Sequence, residues 1–209
     1  LLIKPKSKRN GLFILILGLI FMFICFMLIL AYWHVFKLQL TTLMLASFIV
    51  VLIGYFKNNE PQISYELTPE SIKFHHRRGE WQINWKDITQ IGSISSAIQG
   101  ENVRLPYIGI RLTSLESLAK SVSPRLANKL LHEQQELIKL AIQNSHLTMA
   151  QGAIHFDGYT IGGSLLTGPI GAWLHQCKNL NIAYGYHVYL PEDSFDRHID
   201  KFLSLLKQC

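Results

Sequence analysis

From Gly11 to Trp33 the chain carries no charged side chain and reads GLFILILGLIFMFICFMLILAYW. Those 23 residues, rising about 1.5 Å each, make a helix of roughly 34 Å, enough to cross a hydrocarbon layer of about 30 Å. A second uncharged run of 19 residues, Leu38 to Phe56, is just long enough to do the same. Only His34, Val35, Phe36 and Lys37 separate the two. The pattern predicts a basic N-terminus over residues 1–10, then a tight transmembrane hairpin over 11–56 with spans at about 11–33 and 38–56. A cleaved signal peptide would have a shorter apolar core and a small-residue cleavage site. Here the first run ends in Tyr32-Trp33-His34 and a second span follows at once.

Positive charge favours the cytoplasmic side of a span. Lys4, Lys6, Lys8 and Arg9 precede the first span, Lys57, Lys73, Arg77 and Arg78 follow the second, and the turn holds only Lys37. Both termini and the soluble part are therefore expected in the cytoplasm, with the hairpin in the inner membrane. Neither span has an ionisable group in its interior except the Cys25 thiol, which argues against a proton relay, ion pathway or voltage sensor. Gly11, Gly18 and Cys25 recur every seven residues, as do Ser47 and Gly54, so each helix presents a stripe of small side chains. Packing of the two helices against each other is the expected use, and assembly into a homo-oligomer is the alternative.

The formal net charge of +6 suggests a nucleic-acid partner until the charges are located. Residues 1–56 hold five basic side chains and no acid, whereas the rest holds 15 basic and 14 acidic ones. The soluble part is nearly neutral, so nucleic acid is not an expected partner. The three cysteines, Cys25, Cys177 and Cys209, form no CxxC pair and no metal-ligand spacing, which suits a reducing compartment and predicts no metal or other cofactor.

Beyond Pro61 the pattern changes. Ile63–Leu67, Ile72–His76 and Trp81–Trp85 alternate apolar and polar residues, separated by turns at Thr68-Pro69-Glu70-Ser71 and Arg77-Arg78-Gly79-Glu80. They read as an antiparallel meander, with further strands expected at 107–112, 154–156 and 186–190. Ser123-Pro124 starts a helix expected over about 124–143, with Leu126, Leu130, Leu137, Ile138 and Ala141 on one face. Gln134 interrupts that face and needs a hydrogen-bond partner if buried. Residues 145–184 give no clear period. Within them GGSLLTGPIG has glycines spaced like a phosphate loop, but Pro169-Ile170 stands where Lys-Ser/Thr is required, so it reads as turn backbone. A last amphipathic helix is expected over about 193–207, carrying Phe195, Ile199, Phe202, Leu203 and Leu206.

Short antiparallel strands closed by one C-terminal amphipathic helix resemble a pleckstrin-homology-like (PH-like) barrel. ISYELTPESIKFHHRRGEWQINWKDITQI, residues 63–91, is similar to bacterial PH-like domains that follow a two-helix hairpin, including families of unknown function. Leu67, Thr68, Ile72, Gly79, Ile83, Trp85, Asp87 and Ile88 carry the likeness, while Asn84 stands where those domains usually have proline. The resemblance implies a transmembrane hairpin plus an α+β soluble domain over 57–209, a PH-like antiparallel barrel or sheet with a helical insertion. Because its motif consists of core and turn positions, it speaks to fold more than to function.

Three functions fit. The first is a membrane-anchored binding or scaffolding module, contacting a protein partner or anionic lipid headgroups through Lys73, His75, His76, Arg77 and Arg78. The second is a structural subunit of a membrane assembly with the hairpin as its interface. The third, the least supported, is an enzyme using His146, His155, Asp157, His175 and Cys177, whose spacing matches no catalytic or metal motif. The expectation is a protein that is not an enzyme.

Overall fold

A computed structural model describes residues 1–5, 10–59, 61–98 and 100–208. Lys6, Lys8, Arg9 and Cys209 lie outside the described residues. The chain divides into two units, residues 5–62 and residues 1–4 together with everything from Ile63 onward.

The first unit is a pair of helices, α1 (Gly11–Tyr32) and α2 (Lys37–Asn58), each long and apolar enough to cross a membrane. The buried residues are Gly11, Gly18 and Cys25 on α1 and Leu40, Ser47 and Gly54 on α2. A Cβ added at Gly54 would lie 2.5 Å from the backbone nitrogen of Leu15, and one at Gly18 would lie 3.0 Å from that of Val51. The two backbones therefore touch, while Phe13, Leu30, Leu38 and other large apolar side chains point outward. Small residues inside and large ones outside suit helices solvated by lipid, where the tails supply no drive to hide a leucine.

In the second unit, β1 (Leu2–Ile3), β2 (Tyr65–Leu67), β3 (Ser71–His76) and β4 (Gly79–Asn84) form one antiparallel sheet in that order. A second sheet joins β5 (Ile88–Ile98), β6 (Glu101–Leu112) and β9 (Val188–Pro191). Residues 113–187, between two paired strands, form an insertion. It contains α3 (Glu116–Ser121), α4 (Pro124–Glu133), α5 (Gln135–Gln143), α6 (Met149–Gly152), the hairpin β7 (Tyr159–Ile161) and β8 (Ser164–Leu166), and α7 (Gly168–Tyr184). The chain ends with α8 (Ile199–Leu206). Tyr65, Ile72, Trp81 and Ile83 of the first sheet share one core with Ile108 and Ile110 of the second. Leu126 and Trp173 of the insertion and Phe195 and Phe202 near the C-terminus complete it.

Several expectations are corrected. Among the described residues the sheets do not close into a barrel. On the free edge of β4, the Gln82 N–H donates to Ser121 Oγ (3.0 Å) and that hydroxyl donates to the Gln82 carbonyl (3.0 Å), so α3 occupies the edge that closure would use. The helix expected over 124–143 is two, broken at Gln134, which is 3 % exposed. Its Oε1 accepts from Trp173 Nε1 and Gln176 Nε2, both at 3.4 Å. The C-terminal helix starts after His198, not near residue 193, and Glu192–Ser194 is a 3-10 turn. Phe195 precedes the helix and stacks on Phe202 with ring centroids 4.1 Å apart. Residues 154–156 are not a strand. The stretch without clear period holds the 17-residue α7, bounded by Pro169 in its first turn and by Gly185 in the left-handed conformation just past its end.

Candidate functional site

Strand register gathers the basic turn and the chain's exit points at one end of the first sheet. Ile3 lies opposite Tyr65, and the Ser64 N–H donates to the Ile3 carbonyl (2.8 Å). The His75 N–H donates to the Ser64 carbonyl (2.7 Å), and His76 lies opposite Gly79. The same end therefore carries Lys4, after which the chain leaves this unit, Ile63, where it returns, and the β3–β4 turn Arg77-Arg78. With strands about 4.8 Å apart, that turn lies roughly 10 Å from the return point. The turn containing Pro69 and Glu70 lies at the opposite end.

Local chemistry fixes the basic turn. Gly79 has φ +137°, and a Cβ there would overlap Ser123 Oγ. The Ser123 hydroxyl donates to the Arg78 carbonyl (2.9 Å), and its oxygen accepts from the Leu126 N–H (3.3 Å) as the cap of α4. The Arg78 N–H donates to His76 Nδ1 (3.1 Å). Burial lowers the pKa of His76; Lys129, Arg78 and Arg77 act in the same direction and Glu133 against it.

The five residues expected to form one surface are divided among three environments. Arg77 and Arg78 stand exposed at the tip. His76 turns to the side of Phe74, with ring centroids 6.1 Å apart. Lys73 and His75 project from the opposite face, where His75 Nε2 lies 3.3 Å from Glu66 and Nδ1 3.3 Å from Glu80. That face is of mixed charge, which leaves Arg77 and Arg78 as the exposed cations of the tip. Sequence reasoning missed Arg125, an exposed residue in the first turn of α4. The Ser-Pro helix start was visible, but its contact with Gly79 was not.

Of the candidates after residue 144, His155 and His175 are brought together beside Tyr159, and His146 lies apart from them. The His175 ring lies 4.9 Å from that of Tyr159 and 6.4 Å from that of His155, centroid to centroid. His146 instead stacks on Tyr184 at 6.3 Å. Cys177 is fully buried, and burial pushes its thiol pKa far up, away from the thiolate a nucleophile needs. No three His, Cys, Asp or Glu side chains among the described residues come together as a metal site.

The residues behind the family resemblance hold turns together. Trp85 Nε1 donates to the Thr68 carbonyl (2.8 Å), Thr68 Oγ1 accepts from the Ser71 N–H (3.0 Å), and Ile72 and Ile83 are fully buried. A family model described as "Protein of unknown function (DUF2982)" matches residues 65–209. The chain belongs to this family. The match begins at the first residue of β2, so the DUF2982 region omits both the hairpin and β1, although β1 completes its sheet. No curated protein and no solved structure gives a significant match.

Proposed function

We propose that this DUF2982 protein is a two-span inner-membrane protein whose cytoplasmic, PH-like domain binds the anionic surface of the membrane that anchors it. One observation carries the proposal: the exit point, the return point and Arg77-Arg78 share one end of the first sheet. That end is the one the chain links directly to the two apolar helices. Lys4, at the exit point, adds to its positive charge, and Lys57 follows the second apolar run as the positive-inside pattern requires. A four-stranded and a three-stranded antiparallel sheet, followed by a C-terminal helix, support the PH-like description of the domain. The fully buried Cys177, held away from the thiolate form, favours a binding module over an enzyme.

The test uses the full chain in nanodiscs containing a lipid with a paramagnetic headgroup. Amide signals of residues 76–79 should broaden in anionic nanodiscs, those of residues 68–71 should not, and added salt should reduce the effect. Broadening at 68–71, or at neither turn, contradicts the proposal. A protein partner is the second reading, favoured by Met149, Phe156 and Leu165, which are 77 %, 58 % and 65 % exposed on the insertion.

A further inference from the structure

We infer that Arg125 joins Arg77 and Arg78 in a three-arginine site for the phosphate of an anionic phospholipid; this rests on the membrane-facing reading above. Six arginines lie among the described residues. Arg104 pairs with Asp200 at 2.6 Å and Arg197 with Asp196 at 2.7 Å. Arg77, Arg78, Arg111 and Arg125 are exposed, and among the described residues none of them has an ion-pair partner. Three of these four belong to one junction. Ser123 is bonded to the Arg78 carbonyl, and the Cβ position of Gly79 is 3.6 Å from Leu126 Cβ, so the helical turn bearing Arg125 is seated on the β3–β4 turn. Neighbouring basic groups are already engaged: Lys129 with Glu133 at 2.8 Å, His75 with Glu66 and Glu80. Three exposed guanidinium groups with no ion-pair partner among the described residues are available to an external anion, and planar N–H forks match phosphate oxygens. The sheet end on which they stand is the one from which the chain departs toward its apolar helices, which favours a lipid as the bearer of that phosphate.

The full chain in micelles of a neutral detergent is titrated with short-chain phosphatidylglycerol, following the amide signals of residues 77–79 and 124–126. Both segments should shift together. Arg125→Ala should weaken the apparent affinity about fivefold, as Arg77→Ala does, while Arg111→Ala leaves it unchanged. Weakening by Arg77→Ala but not by Arg125→Ala overturns the three-arginine site and leaves the membrane-facing reading standing. Equal weakening by Arg111→Ala reduces the effect to general charge and overturns the site as well. Absence of any shift in the unmodified chain, with headgroup broadening at 76–79 retained, also overturns the site alone; loss of both signals overturns the two together.

Discussion

In the hairpin, contact is made where side chains are smallest, Gly18 against Val51 and Gly54 against Leu15. In the soluble unit the centre is filled by the largest side chains present, Trp81, Trp173, Phe195 and Phe202, each at most 2 % exposed. On the membrane reading proposed above, the difference follows from the solvent. Water drives apolar area inward at about 25 cal/mol per Å², so large side chains stabilise a core facing water. Lipid supplies no such drive, and helices gain by bringing their backbones close.

Aromatic truncations should separate the two regimes most sharply. Phe202→Ala empties a fully buried site and should cost the soluble unit about 3–5 kcal/mol, measured by denaturant unfolding of the full chain in detergent. Phe13→Ala, on a side chain 65 % exposed on α1, should leave hairpin stability almost unchanged. A large Phe13 effect would break the comparison by showing that an outward aromatic is a contact residue. Next in size is Gly54→Leu, which inserts a side chain where even a Cβ approaches the Leu15 backbone to 2.5 Å. It should cost about 1–3 kcal/mol or more and accelerate hydrogen exchange in both helices. Unchanged exchange would mean that the hairpin does not depend on close backbones.

Gln134→Leu sharpens the comparison inside the soluble unit, because it deprives Trp173 and Gln176 of their shared acceptor. Leaving buried donors unpaired should cost about 1–3 kcal/mol, even though leucine is the more apolar residue. A stabilised variant would show that apolar burial alone governs this core. The smallest effect is one of pH. His187 Nδ1 accepts from the Leu112 N–H (3.0 Å), and burial, aided by Arg111, lowers its pKa from the ordinary 6.5. The unfolded chain therefore takes up the proton first as pH falls. This contribution to stability is complete above the unfolded value of 6.5 and is lost as pH falls through the lower, folded value. His187→Gln should flatten that slope, and a slope identical to the parent's would remove His187 as its source.

The same contrast explains what could be read without coordinates. The seven-residue spacing of Gly11, Gly18 and Cys25 is legible because two helices packed by close backbone approach need only one pattern of small residues. β2 to β4 are legible because one face is buried and the residues alternate. α7 is not, since it buries Trp173, Leu174, Gln176, Cys177 and Leu180 on more than one side and so has no single apolar stripe. β1 is two residues long and its partner lies across the whole hairpin, so no local pattern announces it. Arg77 and Arg78 were legible as a basic turn; Arg125 joins them only through the seating of α4 on Gly79.

The central claim is that the two flanks of the hairpin meet in one sheet on one side of the membrane, and a disulfide tests it most directly. Leu2 and Glu66 are registered partners on β1 and β2. With both changed to cysteine in the full chain and oxidised in native membranes, the two positions should join within one molecule, read as a linked peptide by mass spectrometry. No link, with each thiol modified by an impermeant maleimide only from opposite sides of the membrane, would contradict it.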